Sequence, residues 1–365
     1  MNDISKPQTD LFSPVTVGRY TLRNRIAMAP MTRDRSPDAV PNTLNTRYYA
    51  QRASAGLIIT EGTAPTPMGL GYIDIPGIWS EEQARGWKAT ADAVHADGGR
   101  IFVQLMYVGR MSHPSFLSGA TPLAPSAVKA AGTVFSKEGQ VPFVTPRAMT
   151  EDEIESSLAS FGDAAKLAVG PAGLDGVEVH GANGYLPMQF ISANTNLRTD
   201  AWGGDIPRRA RFHLEALDRA IAAIGGDRVG LRISPGSTFN DINDPEWPQT
   251  YSYLLRELNK RSFAYLHVVV PPISGQDGWP DVPAMVRENF KGTVMLAGGY
   301  DKARAEADVA EGRADLISFA RLFLANPDLP ERLRRNAVLN TPDPATFYGG
   351  SEKGYVDYPF LTETA

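Results

Sequence analysis

The chain has 365 residues, 42% of them hydrophobic and 21% charged, with 36 Lys and Arg against 41 Asp and Glu for a net charge of -5. That balance excludes a disordered or collagen-like chain. With no basic run it does not suggest electrostatic capture of nucleic acid or of an anionic membrane, so a small-molecule ligand is expected. The absence of cysteine excludes disulfides, thiolate metal sites and cysteine nucleophiles. The polar start from Met1 to Asp10, with no apolar run of membrane-spanning length anywhere, predicts a cytoplasmic protein.

In chain order, the first element is a hairpin. Val15-Thr16-Val17-Gly18-Arg19-Tyr20 alternates between Leu11-Phe12 and Leu22 with Gly18 in the turn, and it is expected to close the bottom of the fold. Eight short apolar, β-branched runs follow: Arg25 to Pro30, Gly56 to Thr60, Arg100 to Leu105, Asp175 to His180, Arg228 to Ser234, Phe263 to Val270, Gly292 to Ala297 and Asp315 to Phe319. Each leads into a stretch able to hold a helix. Ser80-Glu81-Glu82-Gln83 and Thr150-Glu151-Asp152-Glu153 read as capping boxes, in which hydroxyl and later side chain satisfy orphan backbone donors reciprocally. The second opens a helix with Ile154, Leu158, Phe161 and Ala165 on one face, and Gly98-Gly99 after Asp97 stops the first.

Eight strand and helix units predict a parallel α/β barrel of the TIM, or (β/α)8, type, since every parallel strand needs a crossover of one hand. A doubly wound open sheet is the alternative. No Gly-x-Gly-x-x-Gly follows an early strand, which counts against it. No composition break marks a linker, so residues 1–365 are read as a single domain. Two connections, Met106 to Met149 after strand three and Gly181 to Arg208 after strand four, are long enough to build the pocket on the active-site face.

In a barrel the chemistry lies beyond the strand ends. Strand one ends without paired histidines, which argues against a metal-dependent amidohydrolase, and no metal site is expected. Strand seven ends without a carboxylate and no Lys closes any run, which weakens a two-carboxylate glycosidase and a Schiff-base aldolase. The ends carry instead Thr32, Gly62, Gln104, His180, Asn183, Tyr185, Arg232 and Arg321, a mostly uncharged set suited to a planar, hydrogen-bonding cofactor. Gly298-Gly299 and Ser318-Phe319-Ala320-Arg321 could cradle a phosphate with backbone amides and a guanidinium, or could equally be a tight turn with a surface arginine. In Val177 to Leu186, alternation puts Glu178 and His180 on one face. An amide, Asn183, and a phenol, Tyr185, follow within one loop, which supplies two donors for an oxyanion and a proton source.

From Leu11-Phe12 to Tyr358-Pro359 the chain resembles the Old Yellow Enzyme family of FMN-dependent ene-reductases. The resemblance rests on Asn24-Arg25-Ile26-Ala27-Met28-Ala29-Pro30-Met31-Thr32-Arg33, Gly109-Arg110, His180-Gly181-Ala182-Asn183-Gly184-Tyr185-Leu186 and Asn196-Leu197-Arg198-Thr199-Asp200. It continues in Trp202-Gly203-Gly204, Leu231-Arg232-Ile233-Ser234-Pro235, Ala325-Asn326-Pro327-Asp328-Leu329 and Phe347-Tyr348-Gly349-Gly350. The resemblance implies one FMN-binding barrel, reduced by NADPH or NADH, that reduces activated alkenes: unsaturated aldehydes and ketones, nitroalkenes and maleimides. It implies Thr32 at the flavin C4 carbonyl, Gln104 and Arg232 at the pyrimidine edge, Pro30, Met31 and Gly62 against the ring, and Gly299, Ala320 and Arg321 at the phosphate. His180 and Asn183 would bind the substrate oxygen, Tyr185 would protonate the α-carbon after hydride reaches the β-carbon from flavin N5, and Tyr72 and Tyr348 would line the pocket.

Strand three departs from many relatives at Met106-Tyr107, where Met106 is expected near the substrate and to leave a roomier pocket. Glu178 is read as structural and in need of a partner such as an arginine or backbone amides. His95 and His267 are expected in packing or surface roles, His113 in the long third loop, and Glu331 to Arg335 on a solvated helix face. A flavoprotein for electron transfer or ligand binding is the alternative function, although it would not require His180, Asn183 and Tyr185 together. A cysteine-ligated iron-sulfur cluster is excluded by composition. Monomer against homodimer stays open.

Overall fold

A computed structural model describes residues 9–276 and 278–362, so most of the polar start from Met1 to Asp10 lies outside the described residues. The eight apolar runs become eight parallel strands: Ile26–Met28, Leu57–Thr63, Ile101–Leu105, Gly176–Gly181, Val229–Ile233, Tyr265–Val269, Val294–Ala297 and Leu316–Phe319. They pair in sequence order and the eighth pairs with the first, so the sheet is a closed barrel and not an open doubly wound sheet. Helices cover its outside, so these strands are buried on both faces, which is why they read as continuous apolar runs rather than as alternation.

The second strand runs past the apolar stretch that ends at Thr60. Its ladder continues because Glu61, fully buried, finds donors. Its carboxylate accepts from Tyr49 Oη at 3.2 Å and from the Arg33 backbone N–H at 3.1 Å, while its own N–H donates to Tyr49 Oη at 2.9 Å. A register shift between Ile59 and Gly62 accompanies this end of the strand. The bond to Arg33 tethers the chain leaving the first strand, the segment that carries Thr32.

The N-terminal hairpin pairs Val15–Val17 with Tyr20–Leu22. Val17 and Leu22 pack with Ala27, Leu57, Phe102 and Met295, and Tyr20 Oη donates to the Asp175 carbonyl at 2.8 Å, so the hairpin plugs the end where the strands begin. Both capping boxes form, at Glu81–Ala96 and Glu151–Val169, and Ile154, Leu158, Phe161 and Ala165 are buried. The long third connection folds back as a hairpin of Thr133–Ser136 with Gly139–Pro142. The fourth holds the helix Leu186–Ile191 before Ile206–Ile224 begins.

One expected surface element is corrected. In the helix Leu329–Arg335, Arg332 is buried, donating to the Asp328 carboxylate at 2.7 Å and to the Pro359 carbonyl at 2.8 Å. It anchors the C-terminal segment, while Arg334 and Arg335 remain in solvent. Among the described residues no helix is long and apolar enough to cross a membrane.

Burial raises the Glu61 carboxyl to about 7, only partly offset by the Arg33 backbone N–H and guanidinium and by Tyr49. A raised acid favours the fold while protonated, so this contribution is present below the unfolded value and is lost as pH rises through about 7. Glu61→Gln, which mimics the protonated acid with one acceptor and one donor and no charge, should remove it. Relative to the variant, the wild type should lose about 2 to 3 kcal/mol of unfolding free energy between about pH 5 and about pH 8. Parallel pH profiles in denaturant titrations would contradict this.

Candidate active site

The fourth strand delivers Glu178 and His180 to the barrel interior, in register with Gln104 and Arg232 on its two neighbours. Glu178 has no exposure, and each oxygen has a partner. Oε1 accepts from Gln104 Nε2 at 2.8 Å and Oε2 from His267 Nδ1 at 2.8 Å, while His267 Nε2 lies 2.8 Å from Ser318 Oγ. Burial works against the charged carboxylate, but His267, Arg232 and Gln104 outweigh it and hold Glu178 below the ordinary carboxylate range. Burial also lowers His267 despite Glu178. The coherent state is a carboxylate beside neutral His267, with Nδ1–H donating to Glu178 and Nε2 accepting from Ser318. Arg232 is the nearby counter-charge. His267 is therefore a core polar residue spanning the barrel, not a surface one. His95 instead meets Asp175 at 2.7 Å, and His113 caps the short turn Pro114–Phe116.

Beyond His180 the chain reverses through Asn183 (φ 57°) and Gly184 (φ 73°), left-handed conformations that asparagine and glycine tolerate. Tyr185 then starts the helix Leu186–Ile191. Asn183 N–H donates to Ser234 Oγ at 2.9 Å, and Asn240 Nδ2 donates to the Asn183 carbonyl at 2.8 Å. Gln189 knits this turn to the third connection. Its Nε2 donates to the carbonyls of Val108 and Gly184, and its Oε1 accepts from Arg110 N–H at 3.0 Å. Arg110 in turn donates to the carbonyls of Val128, Asn240 and Asp241. The sequence reading did not single out Gln189 or Ser234, because neither belongs to a recognisable catalytic pattern.

The His180, Asn183 and Tyr185 set is thereby gathered at the barrel mouth. His180 Nδ1 accepts from Ala182 N–H at 3.3 Å, so the neutral ring carries its proton on Nε2. Burial, then Arg232 and His267, holds the imidazole well below its usual range, which keeps it neutral. The Tyr185 ring lies 4.9 Å from the His180 ring, edge to face, and its hydroxyl is 2.9 Å from Tyr72 Oη. Burial raises the Tyr185 phenol, which stays protonated and able to donate. The Asn183 side-chain amide makes no hydrogen bond to the described residues. A cavity of about 880 Å³ lies here, bordered by Thr32, Tyr72, Tyr185 and Tyr348.

Met106 stands one layer behind this cavity. It is 2% exposed, packs in a cluster with Met111, Phe143 and Tyr185, and its sulfur would lie 2.4 Å from a Cβ placed on Gly62. It therefore shapes the pocket through Gly62 and Tyr185 and does not border the open cavity. Tyr107 points the other way, into the core beneath the outer helices.

Around this set the residues suit a flavin mononucleotide. Arg232 Nε is buried without a partner, and Gln104 Oε1 accepts from none of the described residues because Nε2 must face the Glu178 carboxylate. Pro30, Met31 and Thr32 follow the first strand, half-buried. At the ends of strands seven and eight, Gly299, Ala320 and Arg321 are exposed, and none of their backbone amides donates to an acceptor among the described residues. Gly298 holds φ 123°, and a Cβ there would meet the Val270 carbonyl at 2.3 Å, so the strand can end this way only with glycine.

Fold and mouth define a (β/α)8 enzyme with its polar site residues at the C-terminal ends of the strands. The chain matches the model of the NADH:flavin oxidoreductase / NADH oxidase family over residues 10–340. It is 42% identical over 373 residues to a probable flavin mononucleotide-dependent alkene reductase of Leishmania infantum, covering 99% of this chain and 100% of that one. It is 41% identical over 364 residues to putative 12-oxophytodienoate reductase 3 of Oryza sativa subsp. japonica, covering 97% and 93%. Among solved structures, morphinone reductase in complex with tetrahydroNAD superposes with a TM-score of 0.92 at 47% identity, covering 97% of this chain and 98% of that one. The old yellow enzyme homologue from Zymomonas mobilis does so with a TM-score of 0.93 at 40% identity, covering 96% and 100%. The chain belongs to the Old Yellow Enzyme, or NADH:flavin oxidoreductase, family.

Because Nδ1 is committed to Ala182 and burial opposes protonation, His180 should stay neutral as pH falls through the range where exposed imidazoles become charged. Imidazole nitrogen shifts followed by NMR should show His180 as the Nε2–H tautomer without a titration step there. A step at the ordinary histidine value would refute this state.

Proposed function

We propose that this single barrel domain reduces activated carbon-carbon double bonds with NAD(P)H as reductant and FMN held at the mouth. The substrates are unsaturated aldehydes and ketones, nitroalkenes and maleimides. When bound, FMN supplies a two-electron carrier that takes a hydride equivalent from NAD(P)H and delivers it to the alkene β-carbon. The residues of this chain do the rest. Arg232 and the Gln104 carbonyl oxygen would meet the pyrimidine edge, Thr32 the C4 carbonyl, and Pro30, Met31 and Gly62 the ring. Gly299, Ala320 and Arg321 would receive the phosphate with unoccupied amides and a guanidinium.

The observation that supports this reading is the turn that brings three neutral groups together at the end of strand four: His180 with its proton on Nε2, the Asn183 amide without a partner among the described residues, and the Tyr185 hydroxyl, whose residue borders the cavity. Addition at the β-carbon builds negative charge on the conjugated oxygen, and donors already aimed there stabilise the transition state more than the ground state. Neutral His180 is suited to this role, since it donates without bringing an extra buried charge. Tyr185 then gives its proton to the α-carbon, with Tyr72 Oη 2.9 Å away to stabilise the phenolate left behind. Electron transfer alone would not require these donors.

Two outcomes are expected from rapid-mixing experiments on the FMN-loaded protein. The NAD(P)H-reduced flavin should be reoxidised anaerobically by 2-cyclohexenone, and reoxidation by no activated alkene would overturn the reading. Tyr185→Phe should slow that reoxidation by about a hundredfold or more while leaving flavin reduction within about twofold of wild type. Equal loss in both half-reactions would remove the acid role.

A further inference from the structure

The cavity bordered by Tyr185 has a charge character that the alkene chemistry does not call for. Among its described lining residues there is no Lys or Arg, but there are two carboxylates, Asp34 and Asp241. Asp241 is partly compensated: Oδ2 accepts from Ala131 N–H at 3.3 Å and lies 3.8 Å from Arg110 Nη2. Asp34 is not compensated. Its Oδ1 is buried without any hydrogen-bond partner, and its backbone sits in the left-handed region at φ 55°.

The cations beside Asp34 in sequence direct their hydrogen bonds elsewhere, although Arg33 Nη1 is itself buried without a partner. Arg33 donates to the carbonyls of Phe347 at 2.9 Å and Gly354 at 2.8 Å, with its guanidinium over the rings of Tyr48 and Tyr355. Arg35 donates to the carbonyls of Arg33, Thr346 and Ser351. The other charged and titratable groups facing Asp34 are Glu61, Asp74 and Tyr72. Burial first, then Glu61 and Asp74, raises the Asp34 carboxyl to about 7, against which Arg35 and Arg33 do little. A carboxylate in this position gains from a mobile positive charge.

The same opening presents aromatic surface to solvent. Phe135, Phe239 and Tyr348 are 60%, 59% and 66% exposed, and all three border the cavity with Tyr72. Exposed rings beside an uncompensated carboxylate are the chemistry that recognises an alkylammonium group, which the ring faces attract and the carboxylate neutralises. At about 880 Å³ the cavity has room for such a group together with the alkene.

We propose that Asp34 is a specificity-determining residue and that the preferred substrates are activated alkenes carrying an ammonium group, held beside Asp34 and the aromatic rim while His180 and Asn183 hold the conjugated oxygen. This rests on the alkene-reductase reading and adds the substrate class to it.

The test uses two 2-cyclohexenones of the same shape. One bears a 2-(trimethylammonio)ethyl arm and the other a 3,3-dimethylbutyl arm. Dissociation constants come from calorimetry on the oxidised, FMN-loaded enzyme, where no turnover occurs, and kcat/KM from NAD(P)H oxidation, both at about pH 8 so that Asp34 is ionised. The cationic ketone should bind about tenfold more tightly or better and be reduced with a matching preference. Asp34→Asn should bring both ratios to within about twofold of one, and Asp34→Glu should restore part of the preference. Equal affinities in the wild type overturn the proposal even if no variant folds, as does a preference that survives in Asp34→Asn. Charge-dependent binding without reduction of either ketone would support Asp34 and defeat the reductase reading instead.

Discussion

A buried carboxylate has to be satisfied from within, and in this barrel that requirement at Glu178 organises the mouth. Its two oxygens draw in Gln104 from strand three and His267 from strand six, His267 reaches Ser318 on strand eight, and Arg232 on strand five supplies the compensating charge. Acceptor-only chemistry at Glu178 orients the Gln104 amide, so its oxygen is left without a partner among the described residues. The charge on Arg232 adds to burial in keeping His180 neutral. Arg232 Nε is left buried without a partner in this layer, a cost that a bound acceptor would relieve, since polar atoms left alone in a low-dielectric interior lose solvation without recompense.

Above that layer the connections are joined to one another as much as to the strands. Gln189 bonds the third connection to the fourth, Arg110 bonds the third to the fifth, and Ser234 with Asn240 pins the turn at Asn183. The donors at the mouth are therefore held by a shared framework. This matters for stabilising an oxyanion, because donors that must first reorient give back much of what they contribute. Tyr185 inherits its placement from the same turn and meets Tyr72 from the second connection. The cavity wall is softer, with Met111 bordering it, Met106 behind it and the hairpin from Thr133 to Pro142 in front.

Charge is distributed unevenly over the two halves of the opening. The side proposed for the cofactor carries Arg232 and Arg321, suited to a phosphate and to a pyrimidine edge that gains electrons. The side proposed for the substrate carries Asp34 and Asp241 with no cation among the described lining residues. Arg33 and Arg35 would have cancelled Asp34 had they not been drawn to the carbonyls of the segment from Thr346 to Gly354. Chain-end packing thus sets the electrostatics of the pocket.

The barrel was legible because its determinants are local and repeated. Eight apolar runs, capping boxes at Ser80 and Thr150, and a hairpin around Gly18 each follow from short-range propensity, and only one closed arrangement accommodates them all. His180, Asn183 and Tyr185 were legible too, since one six-residue stretch brings them together. Composition alone removed cysteine chemistry. Tertiary structure decided what depends on residues far apart in the chain. It paired Glu178 with His267, 89 positions away, buried Arg332 in what reads as a solvated face, and set Met106 behind Gly62 rather than on the cavity. It also decided that Asp34 stands uncompensated between two arginines. A charge's worth is fixed by burial and by which partners reach it, and those depend on the folded arrangement of the whole chain rather than on neighbours in sequence.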